Sequence, residues 1–438
     1  MNRFYLILAL FLLSFTVLAL VSCGNTADST APDTTPADTT PTVTTPATTA
    51  KPTANELLAE EMVATIWNAY GDKGSDYLNV LENYGNNRTG YLWSNFSASG
   101  MQYYLCKLNP NDEKVREDYR LTIENFLYFR HPGKYEGTDV AVKYHSDRTG
   151  RKNFGTGTCF FDDNIWVARN YLRAYEIFGD KFYLEEAIRV NNWVLSGWNN
   201  ELGGLVWSED GLRDNANQQN LERGLSANAC GAIVNAMLAR LATNEEDRAF
   251  HMEWAEKFYN FCKKMQNKPE SYDYFNGIHT VIVNGVRKDG TINRAHYSYN
   301  SGSMIIADLL LYEITDDEEK KAAYMDDAVG TAAAAFKTFY RTDSASGKSY
   351  ISGDPWFAAI LHEAYYELSK YNTNKTYMRA FAANVKNGYA NRDTQSGLLP
   401  YEAFHSNVWQ RNETYVIHQV GFAQQAVLNA LWEKESKK

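Results

Sequence analysis

Two adjacent carboxylates, Asp162 and Asp163, are the residues of this chain whose type and spacing best fit catalysis. They follow two aromatic residues, Phe160 and Phe161, and they open a segment in which apolar residues recur every three or four positions. Paired acids can act as nucleophile and as general acid/base, and aromatic rings can bind the faces of sugars. The pattern therefore indicates a carbohydrate-cleaving site at the N-terminus of a helix.

A purely structural role is the alternative for the same pair. Asp is a preferred N-cap residue, and a second Asp in the first turn interacts favourably with the helix dipole. Further along the predicted helix, Arg169, Arg173 and Glu176 take the face opposite the apolar stripe. The choice between catalysis and capping depends on what the rest of the chain places beside the two acids.

The N-terminus carries a targeting signal. Residues 1–22 begin with a positive charge at Arg3 and continue with an almost wholly apolar run from Phe4 to Val21. The run ends at Ser22-Cys23, which resembles a bacterial lipoprotein signal that is cleaved before Cys23 and lipidated on its thiol. An uncleaved membrane anchor is the alternative, since the run is nearly long enough to span a bilayer. We expect a lipid-anchored protein of the cell envelope, with its folded domain outside the cytoplasm.

Residues 23–54 form a tether, and residues 55–438 form one domain. The tether is rich in Thr, Pro and Ala, repeats Thr-Thr-Pro every five residues, and has too little apolar bulk to fold. No second low-complexity linker divides the remainder. The formal net charge of −10 argues against a nucleic-acid partner. We expect a monomer whose partners are a polysaccharide and, through the lipid, a membrane.

No cofactor or metal site is indicated, because the chain has no zinc-protease or phosphate-loop motif and its cysteines lack metal-ligand spacing. The cysteines after Cys23 are predicted to be small buried thiols, although an exported protein could pair them. These are Cys106, Cys159, Cys230 and Cys262. The scattered histidines are predicted to be structural or to hydrogen-bond sugars. These are His279, His296, His362, His405 and His418.

The apolar pattern of the sequence predicts an all-α fold, an (α/α)6 barrel of six inner and six outer helices. Some helices, such as the one containing 229–238, are apolar on all sides and must be buried, whereas others, such as 245–264, keep a polar face. A repeat solenoid is less favoured, because the spacing has no fixed period. The predicted helices are 56–70, 97–107, 112–130, 163–178, 182–196, 225–241, 246–265, 301–314, 318–340, 356–370, 375–389 and 416–433.

All inner helices of such a barrel point the same way, so their N-terminal ends meet at one mouth. Aromatic and amide residues gather at these ends in this sequence, Trp409 among them. Each ring alone is better explained by packing, but together they indicate an aromatic cleft. The candidate substrate-binding residues are Trp93, Asn95, Phe161, Trp166, Trp207, Asn228, Tyr299, Asn300 and Trp356.

Residues 160–166, followed by Arg173-Ala174-Tyr175-Glu176 and by 179–184, resemble the signature of glycoside hydrolase family 76. That family consists of endo-acting α-1,6-mannanases with an (α/α)6 fold. The segment Tyr299-Asn300-Ser301-Gly302 is similar to a Tyr-Asn-Gln-Gly element of the family, with Ser301 in place of Gln. The resemblance extends over about 55–433.

The resemblance implies that Asp162 is the nucleophile and Asp163 the general acid/base of a retaining endo-hydrolase of α-1,6-mannosidic bonds. Adjacency agrees with retention, because retaining enzymes hold their carboxyl groups roughly 5–5.5 Å apart. The helix N-terminus is expected to help keep Asp162 ionised, and aromatic packing is expected to raise the pKa of Asp163. The alternatives are a non-catalytic glycan-binding lipoprotein and an (α/α)6 hydrolase that acts on another sugar.

Overall fold

The computed structural model describes residues 51–74, 78–85, 87–131, 140–148, 155–213, 216–399 and 415–437. The predicted signal peptide, the lipidation site Cys23 and nearly all of the tether lie outside the described residues, as do His405 and Trp409. All described residues except Lys51 belong to one compact unit, Pro52–Lys438. None of the helices in the described ranges is both long and apolar enough for a membrane span.

The described residues form twelve α-helices, close to the predicted ranges. In chain order they are α1 (Ala54–Tyr70), α2 (Leu92–Leu108), α3 (Glu113–Glu124), α4 (Phe161–Phe178), α5 (Lys181–Leu195), α6 (Leu225–Leu241), α7 (Glu245–Lys263), α8 (Ser298–Ile314), α9 (Glu318–Phe339), α10 (Pro355–Leu368), α11 (Thr376–Tyr389) and α12 (Val416–Glu435). Helix α2 begins earlier than predicted, because the polar residues Ser94 and Asn95 of its first turn are buried by tertiary packing. Helix α3 ends earlier than predicted and continues as a short 3₁₀ turn, Asn125–Phe129.

Six helices form a closed inner ring. Helices α2, α4, α6, α8, α10 and α12 each contact two ring neighbours, and α12 returns to α2. The other six pack outside, with α3 on α2, α5 on α4, α7 on α6 and α9 on α8. This arrangement is an (α/α)6 barrel, and the predicted fold is confirmed.

Burial separates the two kinds of helix. In α6, fifteen of the seventeen residues are buried, whereas α7 buries only six of nineteen. Glycines let the inner helices approach backbone to backbone. A Cβ on Gly302 would lie 2.8 Å from the backbone of Ile360, and one on Gly421 would lie 2.4 Å from that of Trp356. Helix α10 is therefore held tightly between α8 and α12.

The loops contain short antiparallel strands that the sequence analysis did not predict. The strands are β1 (Asp147–Arg148), β2 (Gly155–Thr156), β3 (Arg223–Gly224), β4 (Gly277–Val283), β5 (Val286–Asn293), β6 (Tyr340–Thr342) and β7 (Ser349–Ile351). Strands β3, β4 and β5 form one sheet, and β4 turns into β5 at Asn284-Gly285, where both φ angles are positive. Since Gly224 of β3 directly precedes α6, this sheet lies at the mouth end of the barrel. Further 3₁₀ turns are Glu209–Leu212, Gln218–Leu221 and Pro269–Ser271.

Candidate active site

The acid pair lies in the first turn of α4 but does not cap the helix. The N-cap residue is Phe160, which has no side-chain cap, and α4 starts at Phe161. Among the described residues, no backbone N–H donates a hydrogen bond to Asp162 or Asp163. The amide of Phe161 donates instead to the carbonyl of Trp207, at 3.0 Å. The two carboxyl groups are therefore not used as helix caps.

A buried amide side chain fixes the start of α4 in their place. Asn164 accepts a hydrogen bond from the backbone N–H of Tyr144, at 2.7 Å. Its Nδ2 donates to the carbonyl oxygens of Tyr144, at 2.9 Å, and of Phe160, at 2.7 Å. These bonds clamp the segment that precedes the helix, so the acids beside it remain available for chemistry.

Burial and hydrogen bonding act in opposite directions on the pKa of Asp162. Burial raises the pKa of Asp162 to about 6, and hydrogen bonds from Ser226 and Trp166 oppose that rise. The nearby carboxylate of Glu222 adds a smaller upward contribution. In the described structure, Oδ1 of Asp162 has no hydrogen-bond partner. Asp162 is thus mostly ionised at pH 7 and keeps one carboxylate oxygen uncommitted.

Unlike Asp162, Asp163 receives no hydrogen bond in the described structure that would lower its pKa. Burial raises its pKa to about 8, and the charge of Asp162 contributes to the same rise. Both side chains nevertheless keep some solvent exposure. At pH 7 the pair therefore holds one ionised and one protonated carboxyl group, which is the division of charge that a nucleophile and a general acid need.

An aromatic cluster lies at the barrel mouth, and two of its members, Trp166 and Tyr299, interact with Asp162. Trp356 lies in the middle, with ring centroids 5.3 Å from Trp166 and 5.7 Å from Trp93. Tyr299 stacks on Phe357 at 4.1 Å. Trp166 and Trp356 are nearly buried and form a floor, whereas Trp93 and Tyr299 are partly exposed. The structure thus brings four of the predicted binding residues to one place.

Three other predicted binding residues are buried and engaged with protein groups. Asn95 donates from Nδ2 to the carbonyl of Tyr91, at 2.9 Å. Asn228 accepts from the backbone N–H of Leu205, at 2.8 Å, and its Nδ2 donates to a carbonyl of β3. Phe161 is fully buried and stacks on a tryptophan of α5 at 4.3 Å. Sugar contacts by these three residues stay a prediction.

Each of the remaining two predicted binding residues has a group that is not fully engaged with the protein. Trp207 is partly exposed and packs against Phe160, with centroids 4.7 Å apart. Asn300 is buried and donates from Nδ2 to Asn276, at 3.1 Å, but its Oδ1 has no partner in the described structure. Ser301, which stands in place of the family's Gln, is also buried.

Sequence reasoning missed Ser226, Glu222 and Phe357. Ser226 and Phe357 lie in the first turns of α6 and α10. A search for all polar and aromatic residues at the N-terminal ends of inner helices would have found them. Glu222 precedes β3 and accepts a hydrogen bond from Nδ2 of Asn293, at 3.0 Å. Its place near Asp162 depends on the unpredicted sheet.

The four candidate histidines that the structure describes contact carboxylates or an aromatic ring. Nε2 of His418 lies 2.9 Å from a carboxylate oxygen of Asp354, and His362 stacks on a ring of α11, where burial lowers its pKa to about 3. His279 and His296 lie beside carboxylates. Cys106, Cys159, Cys230 and Cys262 are buried free thiols. In the described ranges, no group of His, Cys, Asp and Glu is arranged to hold a metal ion.

Comparison with known proteins gives one family match and several similar structures. Residues 136–427 match the family model described as glycosyl hydrolase family 76. A family 76 mannosidase from Bacteroides thetaiotaomicron has a TM-score of 0.71 at 17% identity, covering 88% of this chain and 100% of that one. No curated protein sequence matches this chain significantly.

Two similar structures come from the α-1,6-mannanase of Salegentibacter sp. HEL1_6. The enzyme itself has a TM-score of 0.65 at 20% identity, covering 86% of this chain and 99% of that one. An inactive variant, in which two consecutive aspartates are replaced by asparagine, is in complex with α-1,6-mannotriose. Its TM-score is 0.64 at 21% identity, with 86% and 99% coverage. At these identities the structural likeness supports the fold.

Proposed function

This chain belongs to glycosyl hydrolase family 76, and we propose that it is a retaining, endo-acting hydrolase of α-1,6-mannosidic bonds in mannan-type polysaccharide. The observation that carries the proposal is the acid pair at the barrel mouth. Asp162 and Asp163 are not used as caps, and their pKa values of about 6 and about 8 give them different charges at pH 7. The α-1,6-mannanase among the similar structures supports the choice of bond.

In the first step, the ionised carboxylate of Asp162 attacks the anomeric carbon. The bond between that carbon and the leaving sugar oxygen breaks, and Asp163 donates its proton to the oxygen. In the second step, Asp163 takes a proton from water, the water oxygen bonds to the anomeric carbon, and the bond to Asp162 breaks. Asp163 regains its proton, and two displacements at one carbon leave its configuration unchanged.

The partly exposed rings at the mouth are proposed to hold the polysaccharide. Trp93, Trp207 and Tyr299 are partly exposed and would offer ring faces to a sugar, whereas Trp166 and Trp356 are nearly buried. Stacking on these faces orients a sugar ring without fixing its distance from a chain end. An aromatic mouth of this kind agrees with cleavage at internal bonds.

The N-terminal segment is proposed to anchor the enzyme to a membrane of the cell envelope. Cys23 would carry the lipid, and the Thr/Pro-rich tether would hold the barrel away from the membrane. A polysaccharide outside the cytoplasm would then reach the mouth directly. Metabolic labelling with a fatty-acid probe tests this part, since Cys23→Ser should abolish labelling.

Incubation with defined polysaccharides tests the proposed activity. Unbranched α-1,6-mannan should release a ladder of oligosaccharides from the first time points, whereas β-1,4-mannan and α-1,4-glucan should release nothing. The matched control is the double variant Asp162→Asn/Asp163→Asn, which should bind the mannan without cleaving it. Cleavage of another polysaccharide alone would favour the other-sugar hydrolase. Equal binding by both proteins with no release by either would favour the glycan-binding module.

A further inference from the structure

A second cavity lies at the end of the barrel opposite the acid pair. It has a volume of about 170 Å³ and is lined by the C-terminal halves of the inner helices α2, α4, α6, α8 and α10. From α4 it takes Arg169, Arg173 and Glu176, which follow Asp162 and Trp166 along one helix face at steps of three or four residues. The interior face of α4 thus runs from the catalytic mouth down to this cavity.

Aromatic rings separate the cavity from the catalytic mouth. Trp166 stacks on Phe96, with centroids 6.2 Å apart, and packs against Trp356. The guanidinium carbon of Arg169 lies 5.2 Å from the centre of the Trp166 ring, on the cavity side. A ligand of the cavity is therefore distinct from a polysaccharide at the mouth.

The charges at the outer rim of the cavity balance in pairs. Glu176 lies 3.3 Å from Lys107. Glu313 lies 3.0 Å from Arg240. Similarly, Glu367 lies 2.5 Å from Lys370, so the rim contributes no excess of either sign.

The charges inside the cavity do not balance. Arg169 and Arg173 both donate to the same oxygen, Oε1, of Glu363, and all three side chains are almost completely buried. Two cations therefore share one anion. In the described structure, Nε and Nη1 of Arg169 have no hydrogen-bond partner, and neither does Oε2 of Glu363. This unbalanced cluster has one positive charge in excess, and it leaves two donors of Arg169 and one acceptor of Glu363 unused beside an open space.

A guanidinium does not lose its proton in a protein, and an uncompensated buried charge is strongly unfavourable. The rings of Trp166 and Tyr103 reduce that penalty through their faces, but they offer no acceptor to Nε and Nη1. The cavity volume equals that of about six waters at about 30 Å³ each, which is room for a phosphate or a small carboxylate. We propose that this cavity binds a small oxyanion, carboxylate or phosphate in type, through Arg169.

Calorimetric titration of the purified protein with inorganic phosphate tests the proposal, with sulfate and acetate compared at constant ionic strength in chloride. We expect saturable 1:1 binding and a melting temperature that rises with phosphate concentration. Arg169→Met should weaken binding about tenfold or more, the factor that one charge-assisted hydrogen bond supplies. Arg120→Gln, on the exposed side of α3 and away from the cavity, is the matched control and should leave binding unchanged.

A second variant, with the opposite expected effect, keeps the test decisive if Arg169→Met does not fold. Glu363→Gln removes the anion that Arg169 and Arg173 share, so it should bind phosphate more tightly or fold only when phosphate is present. The proposal is overturned if none of the three anions binds saturably to the wild-type protein. Equal binding by Arg169→Met would also overturn it, as would a Glu363→Gln protein that folds without phosphate and binds it no more tightly.

Discussion

Replacing Asp163 by Asn tests whether this carboxyl group is held protonated in the folded protein. The pKa of Asp163 is about 8 in the structure, against an ordinary value of 3.8. The folded state therefore binds more protons than the unfolded state between these values, and its stability falls as the pH rises from about 4 to about 8. Asn cannot titrate, so Asp163→Asn removes this loss of stability.

The size of the effect follows from the shift. At about 1.4 kcal/mol per pH unit, the wild-type carboxyl group would destabilise the fold by about 4 kcal/mol at pH 7. Asp163 is partly exposed, and solvent screening reduces the figure, so we expect about 2 kcal/mol. Asp163→Asn should thus be nearly as stable as wild type at pH 4, about 2 kcal/mol more stable at pH 7 and about 3 kcal/mol more stable above pH 8.

Urea unfolding followed by tryptophan fluorescence at pH 4, 7 and 9 measures the difference. The matched control is Asp316→Asn, which neutralises a highly exposed carboxylate and should change stability little at any of these pH values. If Asp163→Asn gains no stability over wild type at pH 9, or gains the same amount at pH 4, the carboxyl group does not have the raised pKa. The assignment of Asp163 as proton donor would then lose its physical basis.

Three further predictions concern activity, packing and the tether. The value of kcat/KM on mannan should be highest near pH 7, falling below about 6 as Asp162 is protonated and above about 8 as Asp163 loses its proton; a flat profile would contradict the assignment. Gly421→Ala should lower the unfolding free energy by about 1–3 kcal/mol through its clash with α10, whereas Gly224→Ala, which has open space, should not. Deletion of residues 1–51 should leave cooperative thermal unfolding and mannan cleavage intact, and a broad transition would place the domain boundary elsewhere.

The barrel could be predicted from the sequence because its helices differ in composition. The uninterrupted apolar and small residues of α6 require burial on all sides, and only an inner ring provides that. The acid pair was also identifiable, since its spacing and aromatic flanks are local properties. Two adjacent acids at a helix start can be recognised without knowledge of the rest of the fold.

Other features depend on contacts that no local pattern contains. Arg169 and Arg173 lie on the polar face of an amphipathic helix, which usually faces solvent, but in this ring that face points to the barrel interior. The β4–β5 hairpin carries an Asn-Gly turn signal that the surrounding helical pattern obscured. The engagement of Asn95 and Asn228 with loop backbone follows only from tertiary packing.

Time-resolved proton NMR of the first product tests the central claim most directly. Double displacement through Asp162 keeps the configuration of the cleaved α-1,6-mannosidic bond, so the new reducing end should appear first as the α-anomer and only later equilibrate. Asp162→Ala should give no signal over the same time, which excludes a contaminating hydrolase. A first product in the β-configuration would contradict the account, because it would require a single displacement by water and would leave Asp162 without its role as nucleophile.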